Sequence, residues 1–258
     1  MRVNDLFTPL ATARHCVLSE RWRLDCTPSK LTLMQITFDK TVLCAAVLIA
    51  CAPALPAQAV RLDNLDQLDK KGVKAETVQY RGKPALRLML DGDPKESAGL
   101  AVLRGVMLRD GTIELEVAGA PEQAAAAQGA RGFIGVAFHM SPDSSRYEQI
   151  YLRPTNGRAD DQVRRNHSVQ YQSIPDYPWP RLRKEEPEKY ETYVDLEPGV
   201  WTKMKIVVEG TKARLYVHGA SEPTLIVNDL KLGATEGAVA LWIGPGTHGH
   251  FANLRISR

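Results

Sequence analysis

From residue 76 onward, apolar and polar positions alternate with a period of two. Leu86, Leu88 and Leu90 alternate with Arg87 and Met89, and Ile113, Leu115 and Val117 alternate with Glu114 and Glu116. Met204, Ile206 and Val208 follow the same rhythm, as do Ala213, Leu215 and Val217 and the runs at 238–243 and 251–256. Successive side chains of a strand point to opposite faces, so each run predicts a short strand with one buried face. Asp91-Gly92, Asp110-Gly111, Glu209-Gly210, His218-Gly219 and the Gly-Pro-Gly at 244–246 punctuate the runs. Residues 209–212 predict a hairpin loop in which Gly210 takes positive φ. About a dozen strands are expected, with at most a helical turn at 64–70 and an alanine-rich loop at 121–128. Many short strands separated by turns predict an all-β sandwich or barrel.

Residues 147–184 break the rhythm. A β-like run, 147–153, opens into more than thirty residues with little apolar patterning, four prolines, and Tyr171, Tyr177 and Trp179. A long loop in a compact domain is usually functional. Aromatic faces suit the C–H faces of sugar rings, and Arg153, Asn156, Arg158, Arg164, Arg165, Asn166, His167 and Arg181 offer groups to pair with hydroxyls. Pro175, Pro178 and Pro180 would pre-order such a loop. On the strand at 133–140, Phe133, Gly135, Ala137 and His139 share one side, and small residues there leave room for a ligand. On the next strand Tyr147, Gln149, Tyr151 and Arg153 share a face, opposite Glu148, Ile150 and Leu152.

The amino terminus reads as an export signal. Residues 41–50 form a ten-residue apolar run after Lys40, followed by Pro53, Pro56 and Ala57-Gln58-Ala59. The run is too short for a membrane span of about 20 residues and fits a signal peptide over 34–59 starting at Met34. Residues 1–33 are then a disordered upstream over-extension of the frame. Leu48-Ile49-Ala50-Cys51 also resembles a lipobox, which would place a lipid anchor on Cys51. The expected location is periplasmic or secreted. All four cysteines precede Ala59, so residues 60–258 carry no disulfide and no thiolate chemistry. That length suffices for one sizeable core.

The net charge is +3, and residues 60–258 hold 27 basic against 26 acidic side chains. This balance excludes a protein built for nucleic acid. Asp160-Asp161 supplies only part of the six to eight oxygens that calcium needs, so no metal or cofactor is expected, with calcium the lesser alternative. His248 and His250 lack an obvious third ligand for zinc.

Several segments resemble the concanavalin A-like lectin/glucanase superfamily. Trp201 opens a hairpin that ends in Val217-His218-Gly219, residues 237–244 and 251–256 resemble its last two strands, and 132–139 with 147–153 resemble its central ones. Within it the chain is most similar to bacterial exported 3-keto-disaccharide hydrolase-like domains and laminin-G-like modules, over residues 62–257. The resemblance implies an all-β, two-sheet antiparallel jelly-roll sandwich of the concanavalin A-like type that holds saccharide on a concave sheet. The expected function is carbohydrate binding on that sheet and the 153–184 loop. The alternatives are a glycoside hydrolase acting on glycosides or 3-keto-glycosides, with Glu148, His167 and Asp161 as catalytic candidates, and a protein-interaction or adhesion module. The Glu-x-Asp-x-Glu strand of the family 16 glucanases is absent, and no Ser-His-Asp pattern is present.

Overall fold

The computed structural model describes residues 58–92, 98–126 and 129–258. Residues 1–33, the export segment up to residue 57 and the lipid-anchor candidate Cys51 lie outside the described residues.

Fifteen strands follow one another: β1 (Gln58–Ala59), β2 (Leu68–Lys71), β3 (Val73–Tyr80), β4 (Lys83–Leu90), β5 (Gly99–Leu108), β6 (Gly111–Pro121), β7 (Ile134–Met140), β8 (Tyr147–Leu152), β9 (Val169–Ile174), β10 (Glu191–Thr192), β11 (Thr202–Glu209), β12 (Lys212–Val217), β13 (Leu225–Val227), β14 (Gly237–Ile243) and β15 (Thr247–Ser257). The first sheet runs β13-β12-β11-β6-β15-β4-β3, with β1 paired to β15. The second runs β10-β9-β8-β7-β14-β5-β2. All pairings are antiparallel. The chain crosses between sheets after β1, β2, β4, β5, β6, β10, β13 and β14, which makes an all-β jelly-roll sandwich of two sheets.

The predicted alternation sets the core. Met204, Ile206 and Val208 of β11 and Leu215 of β12 meet Ile134, Val136 and Phe138 of β7 and Ile150 and Leu152 of β8 in one buried cluster. Gly210 takes φ +58 in the β11–β12 hairpin, as its turn chemistry predicts. Helices are short: α1 (Gln123–Ala126), α2 (Gln162–Asn166) and α3 (Trp179–Glu185). Residues 64–70 give a 3₁₀ turn at Leu65–Gln67 and then β2.

One expectation is corrected here. The stretch 153–184 is not a continuous loop, because β9 lies inside it and pairs with β8 from Tyr147↔Ile174 to Leu152↔Val169. Val169 and Tyr171 of β9 enter the core, while Gln170 and Gln172 face outward.

Candidate functional site

The outer face of the second sheet is built in cross-strand rows. Leu100 of β5, Trp242 of β14, Gly135 of β7, Tyr151 of β8 and Gln170 of β9 stand side by side in one row. The next row is Val102, Ala240, Ala137, Gln149 and Gln172. Trp242 and Tyr151 are two strands apart, a spacing of about 9.5 Å, yet their ring centroids lie 4.9 Å from each other. They meet above Gly135, where an added Cβ would stand 2.6 Å from Tyr151 Cβ. Phe133 packs edge-on to Tyr151 at 6.3 Å. The result is an aromatic wall beside a floor of alanines.

Polar groups border that wall. Gln172 Nε2 donates to Gln149 Oε1 (2.8 Å), and Gln172 Oε1 accepts from the Trp179 amide (3.1 Å), which ties α3 to the β9 side of the face. Gln149 Nε2 and Trp242 Nε1 are both buried and have no hydrogen-bond partner among the described residues. Arg153 is 5% exposed. It donates to the Tyr151 hydroxyl (2.8 Å), the His167 carbonyl (2.9 Å) and Gln170 Oε1 (3.3 Å). Its guanidinium lies 5.0 Å from the Tyr151 centroid and 5.6 Å from that of Trp179, whose ring also carries Arg183 at 4.7 Å. Burial pushes the Arg153 pKa down. Arg183 pairs with Glu191 (2.6 Å). His167 Nδ1 sits 2.8 Å from the same carboxylate, as a close contact rather than an aligned hydrogen bond. Burial lowers the His167 pKa, with Glu191 opposing the shift.

Of the residues expected at a site, Tyr151, Arg153, His167 and Trp179 therefore converge. The others do not. A bulge in β7 sets two residues, Phe138 and His139, against Val239 alone, between the pairs Ala238↔Met140 and Ala240↔Ala137. His139 takes φ +52 there and its Nε2 bonds the Arg109 carbonyl at 2.9 Å, while Met140 joins the outer cluster. The bulge thus turns His139 off the face on which strict alternation placed it. Tyr171 is buried in the core and donates to Glu148 Oε2 (2.7 Å). Tyr177 packs against the core under Arg181, 4.3 Å from its ring. Arg158 pairs with Asp195 and Glu197, Arg181 with Glu185, and Arg165 donates to the Tyr193 hydroxyl. Asn156 is buried and bonds the His167 carbonyl and Arg164, and exposed Asn166 accepts from Gln162.

The catalytic candidates are dispersed. Glu148 is wholly buried on the core side, accepting from Tyr171 and the Leu232 amide, and burial raises its pKa. Asp161 caps α2 by accepting from the Arg164 amide (2.6 Å), the ordinary work of an N-cap. Asp160 is exposed. Among the described residues, no cluster of three or more His, Cys, Asp or Glu could hold a metal, and no helix is long and apolar enough to cross a membrane.

Sequence reasoning missed Trp242, Gln149, Gln170, Gln172 and Glu191 as site residues. The phase of β8 did place Gln149 beside Tyr151, and that signal was sufficient for it. Two grooves lie elsewhere: one of roughly 510 Å³ between residues 59–63 and strands β3 and β4, and one of roughly 460 Å³ over Glu114, Lys205 and Tyr216. Both belong to the first sheet.

No family model matches the chain, and no curated protein matches it in sequence. Among solved structures, a Bacillus subtilis protein of unknown function with a galectin-like fold is similar at 9% identity and TM-score 0.52, covering 78% of this chain and 98% of that one. Carbohydrate-binding module CBM66 from Bacillus subtilis shares 13% identity at TM-score 0.48, over 74% and 98% of the two chains. Domain 4 of AbnA, an extracellular arabinanase from Geobacillus stearothermophilus in complex with arabinotriose, shares 16% identity at TM-score 0.42, over 79% and 81%. The fold is accordingly a galectin-like β-sandwich.

Proposed function

We propose that this chain is a saccharide-binding domain whose ligand lies on the outer face of the second sheet, against Trp242 and Tyr151. One observation carries the reading. Gln149 Nε2 and Trp242 Nε1 are buried donors without partners on one face, and an unpaired buried donor costs about 1–3 kcal/mol. A ligand rich in acceptors recovers that cost. Sugar hydroxyls are such acceptors, and sugar C–H faces suit the adjoining aromatic rings. The face is a binding surface rather than a hydrolytic centre. Its one carboxylate near the arginines, Glu191, is held by Arg183 and contacted by His167, and Glu148 is turned into the core. Glycoside hydrolysis needs two carboxyl groups flanking the bond. An export signal at residues 34–59, whose last two residues form β1 against β15, fits a domain that meets glycans outside the cytoplasm, and the mature amino terminus, read by mass spectrometry, tests whether Gln58 and Ala59 stay with the sheet.

A glycan array with the full chain tests the binding. Trp242→Phe keeps the ring and removes the N–H. It is expected to weaken binding about tenfold, the worth of one lost hydrogen bond, with a change in Tm of only a few degrees. Wild-type affinity in that variant, or no glycan bound by the parent, overturns the reading.

A further inference from the structure

One end of the aromatic face carries an excess of positive charge. Gly132 faces the first sheet, where its Cβ would meet Ala120 and Gly119, Phe133 stands on the outer side against Tyr151, and Arg131 lies at this end close enough to Arg164 and Arg153 to feel their charge. Arg153 continues the outer side of β8. A short network binds Arg164 to the same place. The Thr155 amide donates to the Arg131 carbonyl (3.2 Å), and Arg164 donates to Asn156 Oδ1 (3.2 Å) and Thr155 Oγ1 (3.5 Å). Asn156 and Arg153 both donate to the His167 carbonyl.

The three guanidinium groups have only neutral partners. Among the described residues, no carboxylate lies within 4.0 Å of the guanidinium of Arg131, Arg153 or Arg164, although those of Arg158, Arg181 and Arg183 all find one, and the nearby Asp161 carboxylate is engaged by the Arg164 backbone amide. Arg131 makes a single long bond, 3.4 Å, to the carbonyl of its neighbour Ala130. Burial, then Arg164 and Arg153, push its pKa below the ordinary value. Arg131 and Arg164 are half-buried, so both can be reached from outside, whereas Arg153 lies beneath. Like charges gathered in a partly desolvated place repel, and an anion placed among them relieves the repulsion. Guanidinium groups are suited to carboxylate and sulfate oxygens, which they can bind in pairs.

We propose that the saccharide is acidic, and that its carboxylate or sulfate group is held by Arg131 and Arg164 at the end of the face marked by Phe133, with Arg153 beneath. This inference rests on the saccharide reading and narrows it to a ligand class. The aromatic wall takes the ring, and the arginine end takes the oxyanion.

Two arms test it. On the array, acidic glycans are expected to bind at least tenfold more tightly than neutral ones of the same length, with the preference shrinking as salt rises. The double variant R131Q/R164Q is expected to lose that preference and keep its neutral binding. Inorganic sulfate is the second probe, with chloride at equal ionic strength as the control. Sulfate should raise the Tm of the parent by about 3 °C more than that of R131Q/R164Q, since general salt effects are common to both. Equal binding of acidic and neutral glycans by the parent overturns the acidic class and leaves the saccharide reading standing. An equal sulfate shift in parent and variant overturns the arginine site. Loss of neutral and acidic binding together in Trp242→Phe, with the sulfate difference intact, shows that the two parts of the site act separately, as proposed.

Discussion

The two outer faces of the sandwich are made of similar residue types and treat them differently. On the first sheet most polar groups satisfy one another, although His250 Nδ1 is buried there without a partner among the described residues. Glu116 accepts from Lys83 (2.6 Å) and Asn253 (2.6 Å), Arg87 pairs with Glu76, and Lys205 covers the Tyr216 ring at 4.2 Å. Burial opposes ionisation of Glu116, but the Lys83 and Asn253 hydrogen bonds outweigh it and hold the carboxyl below its ordinary value. On the second sheet aromatic rings are sunk among small residues, two donors lack partners and three arginines lack counter-ions. A self-satisfied face is a solvated surface. An unsatisfied one is stable only because the rest of the fold enforces it, and it is where a ligand gains most.

The sharpest test of that contrast removes one tyrosine from each face. Tyr151→Ala deletes a ring that supports Trp242, Phe133 and Arg153 and should cost about 3–5 kcal/mol in urea unfolding. Tyr216→Ala should cost about 0.5–1 kcal/mol. Comparable losses would break the comparison.

The first face has one strongly perturbed group. His250 is 7% exposed and stacks on Tyr80 at 3.6 Å. Burial is the main cause that lowers its pKa from 6.5 to about 4. The unfolded chain therefore takes up this proton first as pH falls. The stability is fully present above about pH 6.5 and is lost down to about pH 4, by roughly 3 kcal/mol. Denaturant midpoints at both ends of that window, for the parent and for His250→Phe, check the sign. The variant should lose most of the slope, and a parent that gains stability on acidification contradicts it.

Smaller effects refine the picture. Gln149→Met exchanges one unpaired donor for another with little change in volume, because Gln172 Nε2 loses its acceptor as Gln149 Nε2 is removed. Saccharide affinity should fall about tenfold while stability stays within about 1 kcal/mol, read by calorimetry and thermal unfolding. On the opposite face, Glu116→Gln should change stability by about 0.5 kcal/mol and leave binding untouched, in keeping with a partly exposed ion pair.

The sandwich was legible because its strands alternate so regularly, and Glu148 faces the core with Ile150 and Leu152, as its phase predicts. β9 was hidden for a physical reason. Its outward positions are Gln170 and Gln172, and the prolines and arginines around it mask the alternation of Val169, Tyr171 and Ser173. The arginines misled because their partners are remote in sequence. Arg158 meets Asp195 and Arg165 meets Tyr193 only after β10 folds back beside β9. Trp242 was placed only within the alternating run 238–243 and given no role. Only the cross-strand register with Gly135 and Tyr151 shows that it stands outside.

The bulge in β7 has a consequence for how this strand can vary. It works as a frame shift written into the backbone. Residues before it are read in one inside-outside frame, and Met140 after it in the other. Removing one residue at Phe138–His139 would close the bulge, keep Met140 outside opposite Ala238 and restore plain alternation to the strand. Substitutions there are thus constrained less by the identity of the side chain than by the count of residues, a form of information that insertions and deletions alter and point mutations do not.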